Sequence, residues 1–162
     1  MSRAIDIASG ASIEDAIELA KTMRKADADE CEASSGLAPL EAVLTSIVHS
    51  TECWTAYVGG YVLAMWGVVR HGNPLGPRIG IVWLLTSEEV EANRRVFWSA
   101  CKIELRRLLE QWDMLVNAID CRHVKAIRWG ERLGLRFDEA RPFGTAGLPF
   151  RQFAVKLEDL RV

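Results

Sequence analysis

The side chains able to move a proton are scattered along this sequence. Three histidines and 22 acidic residues supply the groups of interest. His49 and His71 fall at the ends of predicted elements and are expected to face solvent. His123 falls in the first turn of a predicted helix. It reads as a surface helix residue, or else as the titratable group of an inferred cleft. Among the carboxylates, Glu52 opens a β-rich run and Asp120 sits at a strand-to-helix junction. Glu52 reads as a surface residue and Asp120 as a helix cap, and each is also a candidate base. The four cysteines, Cys31, Cys53, Cys101 and Cys121, are far apart, with no C-x-x-C and no histidine at ligand spacing. They are expected to be free thiols in a reducing cytosol, without zinc or disulfides.

The elements that must position these groups follow from apolar period and punctuation. AIDIASG (4–10) alternates and reads as a strand. Ser12, with Asp15 three residues on, marks the start of a helix with Ile13, Ile17 and Ala20 on one face. The later ADADECEASSG is polar and reads as a frayed helix or an exposed loop. Pro39 opens a second helix. Two β-rich runs flank Gly59-Gly60 as a hairpin. IGIVWLL (79–85) reads as a central strand buried on both faces. A long helix is expected from Glu88 to Gln111, with Phe97, Cys101, Leu105, Leu108 and Trp112 facing inward. DMLVNAI (113–119) is a strand. The helix CRHVKAIRWGERL follows, capped by Asp120 and stopped by Gly134, with an Asp120–Arg128 ion pair expected. LRFDEARPF and FRQFAVKLE close the chain as two strands. Trp66, Trp83 and Trp112 are placed in the core. Trp98 and Trp129 lie beside core positions and could anchor a partner.

This order implies an α/β or α+β fold: one mixed central sheet of about six to seven strands with helices on both faces. The chain of 162 residues is 49% hydrophobic with a formal charge of −2, so a single domain over 1–162 with a substantial core is expected. Near-neutral charge gives no reason to expect nucleic acid or an anionic membrane as partner. No apolar run reads as a secretory signal or a membrane span, so a secreted protein is not expected.

The element order is similar to that of the GNAT N-acetyltransferases over nearly the whole chain. In that family a glycine-rich turn and helix start after the fourth strand hold the pyrophosphate of coenzyme A, and a pattern N-x-x-A-x-x-x-Y-x-x-x-G-F follows later. Here Ala126 and Gly134 match. His123 stands for the Asn, Gly130 for the proton-donating Tyr and Leu135 for the Phe. The turn reads TSEEVEANRRVF, and no glycine occurs from Ile81 through Trp129. Glu88, Glu89 and Glu91 are expected in the first helical turn, where they suit the helix dipole and would repel a pyrophosphate. IGIVWLL also lacks the acid that often serves as base in that family. If acetyl-CoA binds, the resemblance implies Leu84, Thr86, Arg94, Arg95 and Asn117 as its contacts. Arg94 and Arg95 otherwise read as a solvated basic face, and Asn117 as a partner for backbone exposed where two strands part.

LVNAIDCRHVKAIRWGERLGLRF (115–137) resembles more closely the signature of a tailed-phage family described as internal virion protein A, or acetyltransferase-like. Asn117, Asp120, Arg122, Ala126, Arg128, Trp129, Leu133 and Gly134 match its pattern. This resemblance implies a virion or virion-assembly protein that acts by protein binding, with catalysis lost and no cofactor. It also implies portal or capsid proteins as partners, self-association, and a location in the virion or in host cytoplasm during assembly. The alternative is an active acyl-CoA-dependent N-acetyltransferase using acetyl-CoA.

Overall fold

The computed structural model describes residues 4–161. β1 (Ile5–Ser9) leads to Ser12, whose hydroxyl accepts the Asp15 N–H at 3.0 Å and starts α1 (Ile13–Thr22). The chain then breaks at Met23-Arg24, where the Arg24 N–H donates to the Thr86 carbonyl at 2.9 Å. The polar stretch that follows is neither frayed nor a loop. It is a separate helix, α2 (Lys25–Ser35), ended by Gly36 at φ +71°. α3 (Pro39–His49) starts on its proline.

β2 (Glu52–Val58) and β3 (Tyr61–His71) form the expected hairpin, with Gly59 and Gly60 at φ +57° and +84°. Two successive left-handed residues match the twist of the flanking strands, and glycine adopts that conformation without strain. Then come β4 (Ile79–Thr86), α4 (Arg94–Leu109), β5 (Met114–Asp120), α5 (Val124–Leu133), β6 (Arg136–Phe143) and β7 (Leu148–Val155). The seven strands form one mixed sheet in the order β1-β2-β3-β4-β5-β7-β6, in agreement with the expected architecture.

The helices cover both faces. α1 and α3 close one face over Leu19, Val43, Val62, Met65 and Leu85, and α4 closes the other over Trp54, Trp66, Phe97, Leu108 and Leu115. Each large apolar side chain fully buried there contributes roughly 1.5–3 kcal/mol. Trp66 and Trp112 are buried in the second of these clusters, and Trp83 is half-buried against the first, its indole N–H donating to Ser50 Oγ at 2.8 Å.

β4 departs from the expectation of burial on both faces, because Leu84 is 43% exposed. The reason lies in the register. β4 pairs with β3 along its whole length, but with the parallel β5 only from Ile79↔Met114 to Ile81↔Val116. Beyond Ile81 the two strands diverge, while β5 stays paired to β7 as far as Asp120↔Phe150. A V-shaped opening is therefore built into the middle of the sheet.

The connection after β4 differs as well. A short 3-10 turn holds Glu88–Val90, and α4 begins only at Arg94. Its first turn carries Arg94 and Arg95 and no acid, and Asn93 makes no side-chain cap. The three glutamates lie upstream of the helix, so the charge at its start is the reverse of that expected.

Candidate active site in the opening between β4 and β5

Strand divergence leaves backbone groups on the facing edge of β4 without a ladder partner. Val82 is served by the Asn117 side chain, whose Nδ2 donates to the Val82 carbonyl at 2.7 Å. The same amide's Oδ1 accepts the Ala118 N–H at 2.7 Å, so Asn117 braces the apex of the V with both ends of its amide in use. At the wide end, Thr86 donates its N–H and hydroxyl to Asp27 Oδ2, at 2.8 and 2.6 Å, and its carbonyl accepts Arg24. Along a strand, alternate residues direct their backbone groups to the same edge. The N–H and C=O of Leu84 therefore point into the opening between these two clamped positions. Exposed backbone at such a gap needs a partner, from solvent or a ligand.

The opening leads into a cavity of about 390 Å³. Leu84, Thr86, Arg94 and Asn117 line it, so four of the five residues anticipated as contacts converge. Arg95 does not join them; it is exposed, and its carbonyl accepts the Ser99 hydroxyl. The α4 start also borders the cavity. The N–H groups of its first turn have no acceptor within the helix, and the helix dipole adds positive charge there. Glu91 at this rim is neutralised by Lys125 at 3.2 Å and Arg24 at 3.7 Å, and the Lys125 hydrogen bond holds its carboxyl below the usual range.

A buried polar cluster forms the far wall. Asp27 sits on α2, and its Oδ1 lies 2.8 Å from His123 Nε2 and 3.2 Å from Arg24. Burial pushes the Asp27 carboxyl up, but the His123 contact, Arg24 and Thr86 together outweigh it and leave the group below its ordinary value. Glu30, one turn further along α2, accepts the Asp120 N–H at 2.9 Å. Burial pushes its carboxyl up to about 7, against the pull of that N–H and of His123. Glu30 therefore exchanges its proton near neutrality, inside the cavity it helps to line.

Several sequence expectations are corrected here. His123 is no surface residue: it is 6% exposed and stands at the N-cap of α5. Asp120 does not cap that helix. Its carboxylate takes the Arg122 N–H at 2.8 Å and the Arg122 guanidinium at 2.7 Å, so its ion-pair partner is Arg122 and not Arg128. Glu52 is half-buried and accepts the Trp112 indole N–H at 3.0 Å, far from a base's task. Trp98 and Trp129 are partly exposed, as anticipated, and pack on each other at 5.6 Å, with Trp129 also on Phe97. Gly130 is a packing requirement: a Cβ there would meet the Phe137 ring at 2.9 Å. No tyrosine fits at that position without displacing the ring.

Arg24, Asp27 and Glu30 went unnoticed in the sequence. The available signal was R-x-x-D-x-x-E, charged residues at helical spacing from the N-cap Arg24 into α2, masked by Lys25, Asp29 and Glu32 on the same helix. Cysteine chemistry is not offered in the cavity. Burial pushes Cys101, which lines it, up to about 12, and burial with Glu30 and Asp27 does the same to Cys31. A thiol so shifted is protonated at neutral pH and a poor nucleophile.

No family model matches the sequence, and no curated protein does. Solved structures do match, in 228 chains. A protein provisionally described as an acetyltransferase superposes with a TM-score of 0.72 at 13% identity, covering 98% of this chain and 86% of its own. The acetyltransferase of GNAT family from Streptococcus pneumoniae gives 0.61 at 11% identity, over 93% and 98%. An N-acetyltransferase from Staphylococcus aureus Mu50 gives 0.62 at 9% identity, over 95% and 98%. At these identities the likeness defines the fold: the chain has the GNAT acetyltransferase fold.

Proposed function

We propose that this protein binds an acyl-coenzyme A in the opening between β4 and β5 and transfers the acyl group to an amine. The observation that carries this reading is the Leu84 backbone, which no described residue pairs on the edge between two clamped positions where the sheet diverges. An amide-bearing, extended arm would complete that edge as a strand would. The residues present fit such a group. The Leu84 N–H and C=O would hold the arm, and the unpaired N–H groups at the start of α4, with Arg94, would hold phosphate despite the missing glycines. When bound, the thioester supplies an activated acyl carbon; the chain's residues bind, orient and exclude water. The acetyltransferase names of the structural neighbours agree with this reading. In a thermal melt, acetyl-CoA at 100 times its dissociation constant is expected to add about 2.7 kcal/mol, or about 5–10 °C for a chain of this size. No shift at millimolar acetyl-CoA would remove the reading.

A second reading is favoured by Gly130. The position that protonates the leaving thiolate in many GNAT enzymes is filled by the Phe137 ring, which suits a fold retained for binding. Together with the resemblance of the segment 115–137, this supports a phage protein acting in the virion or its assembly, with portal or capsid as partner. Mass spectrometry of virions and assembly intermediates tests it; absence from both counts against it.

A further inference from the structure

We propose that Glu30 is the catalytic residue that takes the proton from the attacking amine, a role the usual β-strand acid cannot fill in this chain. The assignment rests on the acyl-CoA reading above and names the chemistry of the cavity's far wall. β4 carries no acid, so a base drawn from this chain comes from another element. Of the other carboxylates bordering the cavity, Asp27 is committed to Thr86, His123 and Arg24, Glu91 to Lys125, and Glu104 to Arg107. Asp120, just outside it, is committed to Arg122. Glu30 differs from these. One oxygen is fixed by the Asp120 N–H, the other has no partner among the described residues, and the residue lines the cavity. The fixed oxygen sets the direction of the free one, as a positioned base requires.

The surrounding charges suit this task. On α2 and just before it, Asp27 and Arg24 form one ion pair, and at the end of β5 and just after it, Asp120 and Arg122 form another. His123 lies between them, bonded to Asp27. Among the described residues no lysine or arginine pairs with Glu30, and the pull of His123 and the Asp120 N–H does not offset its burial, which leaves it a proton acceptor matched to neutral pH. The step balances without a further reagent. The amine nitrogen forms a C–N bond to the acyl carbon as the C–S bond breaks. Glu30 accepts the proton shed by nitrogen and returns it to solvent, and the departing sulfur takes one proton from solvent.

The test needs no knowledge of the amine. Glutamate carboxyl carbons in 13C-labelled protein are titrated by NMR, with Glu30→Gln assigning the signal. Glu30 is expected to titrate near neutrality, and saturation with acetyl-CoA should raise its midpoint by about half a unit or more, because the ligand removes water from it. Glu30→Gln should keep its acetyl-CoA affinity within about twofold, since the residue meets the amine and not the arm. A Glu30 midpoint in the ordinary carboxylate range, or one unmoved by bound acetyl-CoA, overturns the assignment while the binding reading stands. If acetyl-CoA does not bind the wild-type protein, the reading and the assignment fall together.

Discussion

A carboxyl that prefers its proton in the folded chain leaves a mark on stability as well as on chemistry. Glu30 releases its proton at about 7 in the fold against 4.5 when free. Between those values the folded chain holds a proton that the unfolded chain has lost. The stability this contributes is complete below about pH 4.5 and is lost as pH rises towards 7, amounting to on the order of 3 kcal/mol before solvent at the cavity reduces it. Asp27 works in the opposite sense. Its lowered value gives stability that is present above the free carboxylate range and lost as the pH falls. Glu30→Gln is therefore expected to unfold in urea like the wild type near pH 5, and to be more stable by about 1–2 kcal/mol at pH 8. Equal stabilities at both pH values would show that Glu30 is an ordinary solvated carboxylate. None of this was readable from Glu30 itself. In sequence it belongs to a run of polar residues and alanines with the look of a solvated helix. Its burial is imposed by Asp120 and His123, some 90 residues away along the chain.

Among the elements, those set by local rules were the ones that could be read. Ser12 starts α1, Gly59-Gly60 turns the hairpin, and Gly134 ends α5 at φ +108°. Gly134 shows how strict such a rule becomes once the fold closes over it. A Cβ there would lie 2.1 Å from the Asp159 carbonyl, in a conformation that side chains rarely adopt. Gly134→Ala is expected to cost more than about 2 kcal/mol, measured by urea unfolding, because neither the backbone conformation nor the space can adapt. A cost within about half a kcal/mol would mean that the chain end lifts away freely. What could not be read was the start of α4. Glu88, Glu89 and Glu91 have the composition of a helix N-terminus, yet a 3-10 turn takes them up and delivers Arg94 to the helix start. The difference of six residues turns an anion-repelling terminus into one that can receive a phosphate. The break between α1 and α2 was hidden for a similar reason: it is made by the long-range bridge from Met23 to Ser87, not by a local breaker.

For the whole molecule, the proposed function depends on an opening in the sheet that no single element contains. β4 and β5 each read correctly as strands, but their parting after Ile81 and Val116 is a property of the pair. Asn117 is the sequence trace of it, a polar side chain in the middle of an apolar run, and its amide closes the apex of the V. The absent glycine turn and tyrosine made the chain look unable to bind coenzyme A. Yet the unpaired Leu84 backbone, the uncapped α4 and the Glu30 cluster surround one cavity. The most direct test of the central claim follows the Leu84 amide. In a 15N-labelled sample titrated with acetyl-CoA, the Leu84 N–H is expected to show one of the largest resonance shifts, with Arg94 and Arg95 moving alongside it. Saturable binding that leaves Leu84 unmoved, or no binding at millimolar acetyl-CoA, would contradict the account.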